Sequence, residues 1–235
     1  MNFVRRLLRW MTRALLGLLA FSLAWVLVYR FAPPPATYLM LRDRMHGLPV
    51  QRIWRSLDDL GKLLPLAAIA AEDARFCSHH GFDVAAINQA LKANERARER
   101  GRSRLRGGST ISQQTAKNAF LWPQRSWLRK GLESGFTVLI ELAWPKKRIM
   151  EVYLNIAEWG PGIFGAEAAA QYHFHKPAQA LSAREAALLA VSLPNPFERQ
   201  AGHPGAGTQR LAEVLQARMR RAPNVAACAR STKPR

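Results

Sequence analysis

The segment "LLPLAAIAAEDARFCSHHGFD", residues 63–83, decides the fold because an apolar helix ends in it on acidic residues. Residues 63–71 are all apolar, which is typical of a helix buried in a core. Glu72 and Asp73 follow directly, and Asp83 precedes another helical pattern, for which it is the predicted N-cap. Glu72 is therefore either a polar helix end or a carboxylate placed in a cleft to transfer protons.

The composition describes one domain with a strong positive charge. With 235 residues and a 49% hydrophobic composition, the chain is long enough to bury a single core. Its 35 Lys and Arg residues outnumber 16 Asp and Glu residues, which gives a formal net charge of +19. An excess of this size indicates an anionic partner: a nucleic acid, an acidic lipid surface or a phosphorylated substrate.

The N-terminal residues predict an uncleaved membrane anchor. Residues 14–29 carry no charge and lie between Arg13 and Arg30. Extended to residues 14–32, the segment forms a helix of about 20 residues, which suits a hydrocarbon layer of roughly 30 Å. The basic residues 1–13 favour a cytoplasmic N-terminus. A cleaved signal peptide and a buried core helix are the alternatives, but prolines crowd the cleavage region and arginines flank the helix.

The remaining chain shows mostly helical patterns, so the predicted fold is mainly α. Residues 33–205 form the expected main domain, which follows the anchor through the stiff spacer "APPPA". Residues 206–235 are predicted to form a short helix and a basic, disordered tail. An oxidising compartment would permit a disulfide between Cys77 and Cys228, but the place of Cys228 in that tail favours two unpaired thiols.

A basic stretch precedes the glycine-rich motif described next. Residues 92–106, "KANERARERGRSRLR", contain seven Lys or Arg residues and two Glu. Such runs are usually a solvated helix end and a loop. The alternative is a mobile arm near acidic headgroups, where each basic residue contributes about 1 kcal/mol of attraction.

The motif "GGSTISQQTAKN", residues 107–118, is suited to binding phosphate. Two glycines precede a helix in which Thr110 and Gln113 have the spacing of a capping box. The exposed amides and the positive end of the helix dipole attract anions, and Lys117 adds a charge two turns into the helix. An ordinary helix cap is the alternative interpretation.

The motif "RKGLE" places cations around a second carboxylate. On a helix, Arg129 and Lys130 have the spacing that allows contact with Glu133. The group is either a surface salt bridge or a carboxylate held among cations beside a polyanion. Sugar transfer uses carboxylates that converge from different helices, but spacing alone does not bring Glu133 to Glu72.

Five motifs together resemble those of the peptidoglycan glycosyltransferases. "EDARFCSHHGFD" matches Glu-Asp-x-x-Phe-x-x-His-x-Gly-x-Asp at all six specified positions. The next four motifs follow in the same order between about residues 60 and 200: "GGSTISQQTAKN", "RKGLE", "RIMEVYLNIAEWGPGIFGAEAAAQYHF" and "LLAVSLPNP". His173 departs from the usual tyrosine, and the stretch before the second motif is unusually rich in arginine. The chain resembles the monofunctional biosynthetic form, because it lacks the transpeptidase motifs Ser-x-x-Lys and Lys-Thr-Gly.

The resemblance implies a mainly α, lysozyme-like domain that polymerises lipid II, the undecaprenyl-diphosphate-linked disaccharide peptide. Glu72 would be the base that deprotonates the acceptor 4-hydroxyl, whose oxygen attacks the anomeric carbon of the growing chain with inversion to a β-1,4 bond. Glu133 would lie beside the leaving diphosphate as the second catalytic carboxylate. Residues expected to bind the diphosphate and shape its loop are Lys117, Arg129, Lys130, Ser109, Thr110 and Gln113. Expected supporting residues are Asp73, His79, Glu151, Tyr153 and Asn155.

The resemblance also implies partners and a location. The expected partners are lipid II, the growing glycan chain, membrane lipids and proteins of cell-wall synthesis, with no specific nucleic acid. The expected location is the inner (plasma) membrane, crossed once, with a cytoplasmic N-terminus and a periplasmic catalytic domain. Side chains expected at the membrane interface are Phe120, Leu121, Trp122 and Trp127. No cofactor is expected to be required and no metal site is predicted, with Mg or Mn as an optional aid to diphosphate departure.

Two other functions remain open at this point. A lysozyme-like or lytic enzyme that cleaves glycans would share the fold and a catalytic glutamate, but it would not need the phosphate-facing cations. A nucleic-acid-binding membrane protein would explain the charge of +19, but the chain contains no recognised binding motif.

Overall fold

The computed structural model describes residues 2–101, 107–124 and 126–229. The helices in these residues are α1 (Asn2–Phe31), α2 (Tyr38–Met45), α3 (Leu63–Glu72), α4 (Val84–Glu99), α5 (Ile111–Phe120), α6 (Trp127–Ala143), α7 (Lys146–Ile156), α8 (Ala166–Phe174), α9 (Ala183–Ser192) and α10 (Ala206–Arg221). The strands are β1 (Gln51–Arg52), β2 (Glu158–Gly160) and β3 (Ile163–Phe164), and 3-10 helices lie at Ala178–Ala180 and Ala227–Ala229. The prediction of a mainly α fold is confirmed.

The helices α4 and α5 begin at the residues that the sequence predicts as their caps. Asp83 accepts a hydrogen bond from the backbone N–H of Ala86 at 2.7 Å and caps α4. At the start of α5, the Thr110 hydroxyl accepts from the Gln113 N–H at 3.1 Å, and the Gln113 side chain accepts from the Thr110 N–H at 3.0 Å. This reciprocal pair satisfies two of the N–H groups that a helix start leaves unbonded.

The buried helix α7 belongs to one of two groups of packed helices. Its buried residues are Ile149, Met150, Val152, Tyr153, Leu154, Asn155 and Ile156. On one side α5 packs against both α6 and α7, and in the other group α3 packs against α9, which packs against α10. Because α3 is apolar through Ala71, it is buried until its last turn, where Asp73 leaves helical geometry with φ −156° and ψ 72°.

A small sheet supports the segment before α3. Its strand order is β1–β3–β2, with β1 parallel and β2 antiparallel to β3. Gly162, in the turn between β2 and β3, has a φ of +72°, and a Cβ there would lie 2.2 Å from the carbonyl oxygen of Pro49. Only glycine therefore permits this close approach of the two backbones.

The helix α1 is long and apolar enough to cross a membrane, with a mean hydropathy of 1.9 over an 18-residue window within Phe3–Phe31. Residues 3–20 are exposed throughout, whereas the C-terminal end of the helix packs against the domain. There, the indole N–H of Trp144 donates to the Val26 carbonyl at 2.8 Å, and the Arg148 guanidinium donates to the Tyr29 carbonyl at 2.8 and 3.0 Å. The helix fits a single-pass anchor whose C-terminal end is docked on the domain.

The end of the chain differs from the sequence prediction. The helix α10 is 16 residues long rather than short, and the chain continues as folded turns and a 3-10 helix to Ala229. Ala226 and Ala229 are buried there, which anchors a segment whose basic composition suggested disorder. A disulfide joins Cys77 to Cys228, so the prediction of two unpaired thiols is wrong. Residues 230–235 of the predicted tail and residues 102–106 of the basic stretch lie outside the described residues.

We expect this disulfide to make a large contribution to the free energy of unfolding. It links residues that are 151 positions apart, and restricting so long a loop in the unfolded chain stabilises the folded state by about 3–5 kcal/mol. Replacing both cysteines, Cys77→Ser with Cys228→Ser, should lower the denaturation midpoint of the detergent-solubilised protein by a corresponding amount.

The reduced wild type is the control, because its midpoint should match that of the double variant. Equal midpoints for the oxidised wild type and the double variant would show that the bond contributes nothing to stability.

Candidate active site

A cavity of about 640 Å³ opens where the end of α3 meets the starts of α5 and α6. Its lining residues are Glu72, Ser109, Gln113, Gln114, Lys117, Pro123, Ser126, Trp127, Arg129, Lys130, Glu133 and Pro194. The fold thus brings Glu72 and Glu133 to one cavity, although they are distant in sequence. Most of the predicted diphosphate-binding residues line the same space.

Glu72 is the carboxylate at the α3 end of the cavity. The side-chain amide of Gln114 donates to Glu72 Oε2 at 2.9 Å, and the Tyr153 hydroxyl donates to the amide oxygen of Gln114 at 3.3 Å. Burial raises the pKa of Glu72, and this effect outweighs the lowering by Gln114 and by the nearby Arg199. A carboxylate with a raised pKa is a stronger base than an ordinary glutamate, and this one reaches the cavity.

Gln114 was not among the residues predicted from the sequence. Its signal was indirect: once Gln113 is committed to the capping box, the next glutamine on α5 is the one available for hydrogen bonding elsewhere. The tyrosine predicted as a support, Tyr153, acts through this glutamine, because its hydroxyl orients the amide that contacts Glu72.

Asp73 has a different environment from its neighbour Glu72. Its carboxylate accepts from Nε2 of His79 at 2.9 and 3.0 Å and from the backbone N–H of Ile111 at 3.0 Å. The side chain is buried, and these bonds join the loop after α3 to the start of α5. The Thr110 hydroxyl strengthens the same junction by donating to the Gly81 carbonyl at 2.6 Å. Asp73 and His79 therefore hold the loop that follows Glu72 against the start of α5.

Thr110 lies in a smaller cavity on the other side of Glu72, rather than in the main one. This second cavity has a volume of about 310 Å³. It is lined by residues 70–75, Asp83, Ala86, Gln89, Gly107, Gly108, Ser109, Thr110 and Arg218. Both Glu72 and Ser109 line the two cavities, so the acidic helix end stands between them.

Glu133 is held by two cations at the α6 side of the main cavity. Arg129 Nη1 donates to one carboxylate oxygen at 2.5 Å, and the Lys130 ammonium donates to the other. Glu133 and Arg129 are buried, whereas the Lys130 side chain is 41% exposed. With Lys117 on α5, three cations line this end of the cavity against one carboxylate, which leaves an excess of positive charge suited to an anionic group.

Glu151 and Asn155 brace the segment that leads into α3 and do not line the main cavity. Glu151 Oε2 accepts from the backbone N–H of Leu57 at 2.9 Å. The Asn155 side chain accepts from the Arg55 N–H and donates to the Arg55 carbonyl, each at 2.8 Å. They connect α7 to the chain just before α3.

The carboxylates of the cavity do not fit a resident metal. Within the described ranges, no three His, Cys, Asp or Glu side chains converge as metal ligands. Glu133 is already paired with two cations, and Glu72 accepts from an amide. A divalent ion needs more oxygen ligands than this set offers.

Glu158 is a further, partly buried carboxylate, which the sequence did not single out. It begins β2, its side chain is 13% exposed, and Oε1 lies 3.7 Å from Nη2 of Arg42. Burial and the neighbouring Asp43 raise the pKa of Glu158 to about 7, although Arg42 and Lys117 act in the opposite direction. Its charge therefore changes near neutral pH, close to one of the cavity's cations.

Comparisons with known proteins agree with the motifs. Residues 42–219 match the sequence model of the family described as Transglycosylase. The chain is 52% identical over 231 residues to a biosynthetic peptidoglycan transglycosylase of Rhodospirillum centenum, covering 97% of this chain and 98% of the relative. It is 49% identical over 222 residues to the protein of that name from Pseudomonas aeruginosa, covering 92% and 94% of the two chains. Against the Caulobacter vibrioides protein of that name, identity is 52% over 205 residues, or 87% of each chain.

We expect Glu158 to make stability fall as the pH rises. Because its pKa in the folded state is raised to about 7, its contribution is complete below the ordinary glutamate value and is lost as the pH rises through about 7. The thermal midpoint of the wild type should therefore drop relative to Glu158→Gln between pH 5 and pH 8. Glu213→Gln, on an exposed face of α10, is the matched control and should show a constant difference over that range. A pH-independent difference for Glu158→Gln would contradict this assignment.

Proposed function

The chain belongs to the transglycosylase family, and from that premise we propose that its cavity polymerises lipid II into linear glycan strands. The protein is a peptidoglycan glycosyltransferase with a mainly α, lysozyme-like domain. The observation that carries the proposal is that Glu72 and Glu133 line one cavity together with the cations Lys117, Arg129 and Lys130.

In the proposed reaction Glu72 is the general base. It takes the proton from the 4-hydroxyl of lipid II while that oxygen forms a bond to the anomeric carbon of the growing chain. The bond between this carbon and the diphosphate oxygen breaks, and its electron pair leaves with the undecaprenyl diphosphate. Attack from the face opposite the diphosphate inverts an α linkage to a β-1,4 bond. The raised pKa of Glu72 strengthens its basicity, and Gln114 keeps the carboxylate oriented.

The cations stabilise the charge that develops on the leaving diphosphate. Lys117 approaches from α5, whereas Arg129 and Lys130 approach from α6. Glu133 fixes the two α6 cations in place, so they are positioned before the substrate binds. Ser109 lies at the edge of the same cavity, where its hydroxyl and the loop amides contact phosphate oxygens in this proposal.

Cleavage of finished glycan is not favoured as the function. A β-1,4 bond between sugars has no phosphate leaving group, so three cations at the end of the cavity would have no substrate charge to neutralise. The relatives carry the name biosynthetic peptidoglycan transglycosylase, which describes strand synthesis.

We propose that the protein crosses the inner (plasma) membrane once, with its N-terminus in the cytoplasm. The helices α1 and α6 run in the same direction, because Trp25 contacts Phe136 and, further along both helices, Arg30 donates to the Ala143 carbonyl. The start of α6 therefore extends toward the membrane, where Trp127 is 93% exposed. Lipid II, the growing chain and membrane lipids are the proposed partners, together with proteins of cell-wall synthesis, and no specific nucleic acid is proposed.

Only part of the aromatic motif predicted at the membrane interface is available for that role. Trp127 and the neighbouring Leu128 are exposed, but Phe120 and Leu121 are buried in the core, and Trp122 is partly buried against it. The prediction was wrong for Phe120 and Leu121, because α5 ends inside the packed region.

We propose that the reaction needs no resident cofactor. The donor set does not fit a bound metal, so each step above is assigned to side chains of this chain. Mg or Mn that assists diphosphate departure would be bound by the diphosphate of the substrate itself.

We expect Glu72→Gln to abolish polymerisation, because the variant keeps the amide-binding geometry but cannot accept a proton. The loss should be at least about 10²–10⁴-fold, the range of a positioned general base. Purified wild type, Glu72→Gln and the control Glu213→Gln are incubated with lipid II, and glycan strands are resolved on a gel. The wild-type rate should fall as the pH drops through the raised pKa of Glu72, where the base becomes protonated.

Full activity in Glu72→Gln would remove Glu72 from the role of base. Failure of the wild type to polymerise lipid II, combined with release of short fragments from finished glycan, would overturn the proposed function.

We expect Glu133→Gln to lower kcat severely, because Arg129 and Lys130 lose the charge that holds them beside the leaving group. The buried Arg129 would also be left without its anionic partner, so the melting temperature is measured alongside the rate. A variant that melts early but turns over normally at low temperature would show that the carboxylate serves stability alone.

A further inference from the structure

The outer end of α1 forms an aromatic cluster with the two helices that carry the cavity's charges. We call this cluster the anchor seam; it consists of Trp25, Tyr29, Phe120, Phe136 and Trp144. Phe120 and Phe136 stack face to face, with ring centroids 4.6 Å apart and planes 4° from parallel. Trp25 packs edge-on against both rings, at 5.3 Å and 6.3 Å, and Tyr29 stacks on Phe120 at 5.5 Å.

The stacked phenylalanine pair is directly connected to the cavity. Phe120 ends α5 and lies three residues after Lys117, and Phe136 lies three residues after Glu133 on α6. Residues three apart on a helix are neighbours on its surface. The helices α5 and α6 run antiparallel, because the Ser112 hydroxyl donates to Glu141 while Phe120, further along α5, stacks on Phe136. Lys117 and Glu133 therefore lie one turn to either side of the ring contact, and that contact fixes the relative position of the two helices that carry them.

The membrane helix completes the burial of this pair. Phe120 and Phe136 are only 8% and 9% exposed with α1 in place. Backbone contacts hold α1 there, because Trp144 donates to the Val26 carbonyl and Arg148 donates to the carbonyls of Tyr29 and Ala32. The last two turns of α1 are thus packed as part of the domain. Removing the rings of Trp25 and Tyr29 would leave one side of the stacked phenylalanine pair unpacked.

We propose that Trp25 and Tyr29 are positioning residues for polymerisation, because they hold the stacked rings of the anchor seam in place. Through those rings they fix the relative position of the two helices that carry the α5 cation and Glu133. This inference rests on the proposed function above. It assigns to the membrane helix a part in the reaction itself, in addition to its part in holding the enzyme at the membrane.

The test compares Trp25→Leu with Trp10→Leu in the full-length protein. Both variants keep an apolar α1, but Trp10 is exposed near the inner end of the helix and lies outside the seam. Polymerisation of lipid II is measured in detergent micelles, where delivery to a membrane plays no part. Trp25→Leu should lower kcat by about 10–100-fold, since misplacing a reacting centre by about 1 Å costs on the order of 100-fold. Trp10→Leu should keep the wild-type kcat.

Two further readouts separate positioning from simple loss of stability. If Trp25 acts through Phe120, the double variant Trp25→Leu/Phe120→Leu should lose less than the product of the two single losses, because the variants break one shared contact. The acidic limb of the pH–rate profile should stay in place, since it reports Glu72 on the α3 side of the cavity. Should Trp25→Leu melt below the assay temperature, Tyr29→Leu makes the same comparison, with Tyr29→Phe restoring kcat because it keeps the ring.

The inference is overturned if Trp25→Leu retains the kcat of Trp10→Leu in micelles, or if the single losses multiply in the double variant. Loss of activity only in vesicles would equally overturn it, because it would show that the anchor merely delivers the enzyme. A wild type that fails to polymerise lipid II contradicts the proposed function instead, so the two failures are distinguishable.

Discussion

The desolvation of carboxylates at the end of one apolar helix is the constraint on which the rest of the structure depends. Burying a charged group costs free energy unless hydrogen bonds or opposite charges compensate it. Asp73 is compensated fully by His79 and by a backbone N–H of α5, so it serves as a structural joint. Glu72, one residue earlier, receives one amide hydrogen bond and reaches the cavity. Two adjacent acids thus acquire different roles from their surroundings alone.

A similar balance explains the cations of the cavity. A buried carboxylate at position 133 would be costly by itself, and Arg129 and Lys130 compensate it with an excess of positive charge. That excess is unfavourable in the empty cavity and favourable once a diphosphate enters. The net charge of +19 suggested an anionic partner without locating it; the fold places three of those charges where one end of the substrate is proposed to lie.

Features that depend on near neighbours could be predicted from the sequence, and features that depend on distant contacts could not. The Asp83 cap and the Thr110–Gln113 capping box involve residues three apart, so spacing was sufficient. The meeting of Glu72 with Glu133 was expected only through the resemblance to a known family. The pairing of Cys77 with Cys228 was missed, because the basic composition of the last residues suggested disorder. Small apolar residues there, Ala226 and Ala229, are buried and keep the end of the chain folded.

The helix α6 shows how one element can serve a substrate that is both lipid and anion. Its exposed positions include Trp127, Leu128 and Leu142, whereas Arg129 and Glu133 are buried on the side that meets the cavity. In the proposed membrane arrangement, α6 runs parallel to α1, so its apolar side is directed toward lipid while its charged side borders the cavity. A diphosphate carried on a polyprenyl chain has the same division, with a hydrocarbon part and an anionic part. An enzyme for such a substrate therefore needs its anchor and its cavity in a fixed relation, and the aromatic contacts between α1, α5 and α6 provide that relation.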